Sequence, residues 1–124
     1  RRPMPSELDE LSPGRALFEL VIEAEREHKQ GSERRASPRF PFFRPVWLRA
    51  NGGQRLRAFS REISTDGIGL MHNFPLESGE VELSIVSRGG YMVSVVTHIE
   101  WCAACGDDWF ISGGRFVRLG GVGV

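Results

Sequence analysis

The chain has 124 residues, 40% of them hydrophobic, which is enough for one buried core and too little for two full-sized domains. No apolar run approaches the roughly 20 residues of a membrane-spanning helix. Two cysteines, Cys102 and Cys105, are too few and too close for a disulfide framework, which points to a reducing, cytoplasmic setting. The 16 basic and 16 acidic side chains cancel, but unevenly along the chain. Residues 1–30 carry five cations against seven anions, residues 31–61 eight against one, and residues 62–124 three against eight.

In chain order, residues 1–31 predict an N-terminal helical extension. Ser12 is placed to cap it and Pro13 to fill its first position. Leu17, Leu20, Val21 and Ala24 then recur at helical spacing, with Glu23, Glu25, Arg26, Glu27 and Lys29 on the other face. Gly31 is the expected stop. An amphipathic helix of this kind covers an open end of a domain or docks on a partner.

The next segment, Arg34-Arg35-Ala36-Ser37-Pro38-Arg39, opens the basic stretch. All eight cations between residues 31 and 61 are Arg, and the chain's one Lys is Lys29. Arg has a flat fork that meets phosphate oxygens or the O6/N7 edge of guanine bidentately, which Lys does not. A genome that favours Arg codons accounts for the shortage of Lys but poorly for the clustering.

After Gly31 the hydrophobic period becomes two. Strands are expected at 44–50, 54–62, 67–72, 80–87, 91–101 and 109–119, separated by turns rich in Gly, Asn and Asp. Val81, Leu83 and Ile85 alternate with Glu80, Glu82 and Ser84, and Val93, Val95, Thr97, Ile99 and Trp101 alternate with more polar neighbours. Each strand has one apolar face, as a closed antiparallel barrel requires. Gly113-Gly114 suggests a bulge where the last strand bends. Trp47, Trp101 and Trp109 are expected in the core or as end plugs. Residues 120–124 read as a flexible tail.

The second polar segment is Glu62-Ile63-Ser64-Thr65-Asp66-Gly67. A carboxylate there can accept from the N1–H and N2–H groups of guanine, and an Asp-Gly turn brings the backbone close to a ligand. With the Arg segment it makes a candidate site for a guanine nucleotide with exposed phosphates. Phe40, Phe42 and Phe43 beside the Arg segment can stack on a base or pin that segment. Cys102 and Cys105 with His98 and Asp107 provide one ligand pair where a structural zinc site needs two. His28, His72 and His98 fall on separate elements without a nucleophile motif, so no enzyme is expected.

Residues 32–119 resemble a PilZ domain, a six-stranded antiparallel β-barrel that receives the bacterial second messenger cyclic di-GMP. Arg35 and Arg39 match the family's Arg-x-x-x-Arg motif, with Arg34 as an additional cation. Ser64 and Gly67 match its [Asp/Asn]-x-Ser-x-x-Gly motif, and Glu62 stands where the family has the shorter Asp or Asn. Gly113 or Gly114 with Phe116 matches a later pattern. The resemblance implies a mainly β receptor domain, preceded here by the helix, with cyclic di-GMP as ligand, a downstream protein partner and no cofactor or metal. It implies ligand binding by Arg34, Arg35, Arg39, Glu62, Ser64 and Gly67. On this reading the Arg segment, mobile when empty, folds onto the barrel with the ligand and repositions the helix. Two alternatives follow from the same residues. One is a PilZ-like interaction module without ligand, and the other is a small barrel binding single-stranded nucleic acid through Arg and Phe.

Overall fold

The computed structural model describes residues 13–28 and 39–123. It consists of helix α1 (Pro13–His28) and strands β1 (Phe40–Pro41), β2 (Pro45–Ala50), β3 (Leu56–Ile63), β4 (Gly67–His72), β5 (Gly79–Val86), β6 (Met92–Ala104) and β7 (Phe110–Gly123). The sheet order is β1-β3-β2-β5-β6-β7-β4, every pairing is antiparallel, and a β3–β4 pairing closes the ring. The result is a six-stranded barrel with β1 as an added strand on β3. Closure leaves no long edge exposed, which is how a small antiparallel sheet avoids pairing with other chains.

The expected alternation is realised. Val46 and Leu48 of β2, Val81, Leu83 and Ile85 of β5, and Val93, Val95 and Ile99 of β6 are buried inside the barrel. Ala16, Leu17, Leu20, Val21 and Ala24 of α1 belong to the same apolar cluster. The helix packs against β1, β6 and β7, so it is part of the barrel's core and not a separate layer. Burial of an apolar stripe is what holds a helix of this length, since isolated helices of about 12–15 residues are marginal in water. An ion pair between Arg44 and Glu23 at 2.9 Å, with both side chains largely buried, ties the helix to the start of β2.

Several boundaries differ from the sequence expectation. The helix ends at His28, and its expected cap Ser12 and stop Gly31 lie outside the described residues. Strand β6 runs on through Cys102 to Ala104, where a turn was expected from residue 103. Strand β7 continues to Gly123, so residues 120–123 are paired strand and not tail; Val122 lies opposite Val93 and Gly123 opposite Met92. The three tryptophans are outside the barrel: Trp101 and Trp109 are exposed and Trp47 is half-buried.

The register shifts at four places in the ring, once in β3–β4 and three times in β6–β7, and two of these shifts bend it at one end. Between Ser60 and Glu62 the β3–β4 register slips so that Arg61 is the extra residue, and between Ile99 and Trp101 the β6–β7 register makes Glu100 the extra residue. The bend expected from Gly113-Gly114 therefore exists, but its extra residue is on the facing strand. Bulges re-aim side chains as well as bending a sheet, and both of these lie beside one cleft.

Candidate functional site

The cleft has a volume of about 350 Å³ and opens between the end of β3, the start of β4 and the bulged parts of β6 and β7. It takes in Arg39, Glu62, Ser64, Asp66 and Gly67 from the two sequence segments, and Glu100, Trp101, Gly113 and Arg115 from the far strands. Arg39, Glu62, Ser64 and Gly67 are thus brought together. Arg34 and Arg35 lie outside the described residues.

Arg39 reaches Glu62 because of β1. Phe40 pairs with Ile63 and Pro41 with Glu62, and the Phe42 amide donates to the Arg61 carbonyl at 2.9 Å. Phe40 and Phe42 are buried, so they pin the chain that follows Arg39 and do not stack on a ligand. The Arg39 Nη1 then donates to Glu62 Oε2 at 3.1 Å. Phe43 instead points outward and its ring stacks on Phe59 with centroids 5.3 Å apart.

The turn between β3 and β4 is organised by Ser64. Its buried hydroxyl accepts from the backbone amides of Asp66 and Gly67, each at 3.1 Å, and its own amide donates to the Gly67 carbonyl at 2.9 Å. Ser and Asp in such turns substitute side-chain bonds for missing backbone ones. The Asp66 carbonyl accepts from the Phe116 amide at 2.7 Å, which fastens the turn to β7. A Cβ on Gly67 would run into the backbone carbonyl of Gly114. Ser64 and Gly67 therefore shape the cleft and are not themselves extended into it.

Opposite, Arg115 donates from Nε to Glu100 Oε2 at 3.0 Å. The Trp101 indole lies where a Cβ on Gly113 would be, so the glycine makes room for a ring that is 46% exposed. Arg61 sits beneath this wall. Its Nε donates to the Leu70 carbonyl at 3.0 Å, its Nη2 to the Ser112 carbonyl at 3.2 Å, and its guanidinium lies 5.9 Å from the Trp101 ring centre. Trp101, Arg115 and Glu100 were missed from sequence. The Gly113-Gly114 pair was the available signal, because adjacent glycines in a strand mark close approach by something else.

Behind the cleft His72 is fully buried. Its Nδ1 faces the Phe74 carbonyl at 2.6 Å and its Nε2 the Ser112 hydroxyl at 2.8 Å. The carbonyl only accepts, so Nδ1 carries the proton and Nε2 accepts from Ser112. Burial is the main cause that holds the His72 pKa below its usual 6.5; the Phe74 carbonyl opposes this and the charge of Arg61 adds to it. A buried, neutral imidazole with both nitrogens satisfied is a structural element of the barrel. Among the described residues there is no group of three or more His, Cys, Asp or Glu side chains fit to hold a metal ion, and no helix is long and apolar enough to cross a membrane.

No protein-family model matches the chain, and no curated protein matches its sequence. Among solved structures, the chain is similar to a motility inhibitor of Bacillus subtilis, MotI/DgrA, with a TM-score of 0.59 at 14% identity. The similarity covers 73% of this chain and 46% of that one, so the chain spans less than half the length of that protein. At this identity the likeness is one of fold.

Proposed function

We propose that this chain is a PilZ-like regulatory domain that binds cyclic di-GMP in the cleft and passes the signal to a protein partner, in the cytoplasm and without catalysis or cofactor. The observation that carries the reading is the convergence of Arg39 with Glu62, Ser64 and Gly67 on one cleft from segments 23 residues apart. The fold shared with a motility inhibitor supports the regulatory part of it.

Charge decides what binding requires. The described cleft holds Arg39 and Arg115 against Glu62, Asp66 and Glu100, a balance that repels a dianion. Arg34 and Arg35 are the further cations that the sequence offers to such a ligand. Arg39 then exchanges the Glu62 carboxylate for a phosphate, since both offer its fork two oxygens. The released Glu62 accepts from guanine N1–H and N2–H, its extra methylene placing the carboxylate farther from β3 than Asp would. A ligand held by Arg39 bears on α1 as well, because Phe40 and Phe42 join Arg39 to the helix–barrel core.

Isothermal titration with cyclic di-GMP tests the reading. Heat of binding is expected for the parent chain and none for Arg35→Ala with Arg39→Ala, while Glu62→Asp reports whether the longer side chain weakens the contact. No heat from the parent at tens of micromolar overturns ligand binding. It favours the second reading, a ligand-free interaction module, for which the existing Arg39–Glu62 pair at 3.1 Å speaks.

A further inference from the structure

The outer face of β2 and β3, away from the cleft, presents arginine in a different form. Strand alternation buries Val46, Leu48 and Ala58 and turns Trp47, Arg49, Arg57 and Phe59 outward. The guanidinium groups of Arg55 and Arg57 lie over the Trp47 ring, 4.5 and 4.3 Å from its centre. Among the described residues, Arg49, Arg55 and Arg57 have no carboxylate within ion-pair distance; Glu82, across from Arg49 in register, is the acid of this face.

An apolar strip adjoins the cations. Leu56 and Trp109 are exposed and share a groove of about 160 Å³ with Arg57, Phe59 and Phe74. Phe43, 60% exposed, continues the strip through its stack on Phe59. Arg57 belongs to both halves, since it touches Trp47 and lines the groove.

Arg and aromatic side chains are the residue types enriched at protein interfaces. A guanidinium resting on a ring keeps its N–H donors free at the rim, and part of its rotamer freedom is already lost, so less entropy is lost on contact. Such donors take carboxylates bidentately, while the neighbouring groove takes apolar side chains. A nucleic-acid strand fits less well, because stacking needs free ring faces. Here guanidinium groups lie over Trp47 and Phe59 is stacked on Phe43, which leaves the outer face of Phe43 and the Trp109 ring for a base.

We propose that this face docks a protein partner through a segment bearing carboxylates beside apolar side chains. The docking is independent of the nucleotide reading, and its test contains no nucleotide. Fluorescence anisotropy with a labelled peptide of Asp and Leu residues is compared with a labelled oligothymidylate of equal charge. The peptide binds the parent chain, and Arg55→Glu with Arg57→Glu weakens it about tenfold or more. Arg55→Lys with Arg57→Lys keeps the charge but loses the fork and the stacking, and weakens it about threefold. Thermal melts by circular dichroism establish that each variant is folded, and Arg55→Gln with Arg57→Gln replaces the reversed pair if that one is not. Equal peptide affinity for the parent and a folded charge-altered variant overturns the proposal, as does tighter binding of the oligothymidylate than of the peptide.

Discussion

In the cleft, Arg39 and Arg115 each meet a carboxylate, Glu62 at 3.1 Å and Glu100 at 3.0 Å; on the outer face of β2 and β3, Arg55 and Arg57 meet the ring of Trp47. A carboxylate neutralises the cation and must be displaced before another anion can bind. A ring leaves the charge in place and restricts only its position. The first arrangement suits a site that opens when its ligand arrives, and the second suits a surface that is ready for contact. The backbone differs as well. Glycines let strands approach closely around the cleft, whereas the β2–β3 face is built from large side chains on regular strand.

The most severe way to break this contrast is to fill one of those close approaches. Gly67→Ala places a methyl group against the Gly114 carbonyl, and neither strand can retreat without loosening the pairing of Gly67 with Arg115. Overpacking of this kind is expected to cost about 3 kcal/mol, measured as the change in urea-unfolding free energy. A loss of about 0.5 kcal/mol or less would mean that the cleft wall yields freely, and backbone proximity would no longer distinguish the two regions.

A smaller effect is expected from the support behind the cleft. The folded-state pKa of His72 lies below 6.5, with burial as the main cause, so the unfolded chain takes up a proton before the folded one. The stabilisation from neutral His72 is complete above about pH 6.5 and is lost as the pH falls below that value toward the folded-state pKa. His72→Gln keeps polar atoms near Phe74 and Ser112 without titrating. Its melting temperature should therefore fall less than that of the parent between about pH 7.5 and about pH 5.5. Parallel curves for the two proteins would remove His72 from the acid response.

Much of this architecture was legible in the sequence, and the failures have physical causes. The stripe of Leu17, Leu20, Val21 and Ala24 is buried as expected, as are Val81, Leu83 and Ile85, because burial on one face leaves a period that neighbouring chain cannot disguise. Trp101 shares parity with Ile99, which on a regular strand would turn it inward. The extra residue Glu100 reverses that parity, and a bulge is a property of two strands that one strand's pattern does not contain. Trp47 faces outward for a simpler reason: its position between the buried Val46 and Leu48, and not its size, sets its side of β2. Strand β1 has two residues, too few for any period. The end of β7 read as tail because of its glycines, yet its pairing with β6 holds it. In the candidate site, the meeting of Arg39 with Glu62, Ser64 and Gly67 was anticipated by motif order, while the wall of Trp101 and Arg115 depends on the same bulge that hid Trp101.

The smallest expected effect bears most directly on the comparison. The Arg39 and Glu62 side chains are 51% and 32% exposed, so water and salt screen their attraction, and a double-mutant cycle with Arg39→Ala and Glu62→Ala should give a stability coupling of about 0.2–1 kcal/mol. Such a weak pair suits a ligand site: the carboxylate keeps Arg39 near its working position, yet a phosphate that offers two oxygens and more charge can displace it. Raising the salt concentration should shrink the coupling further. A coupling of about 2 kcal/mol or more would make the pair a structural clamp, and a ligand would then lose that much affinity in opening it. In that event Arg39 and Glu62 would hold β1 on β3, and the arginines on the Trp47 ring would be the ones left free to bind.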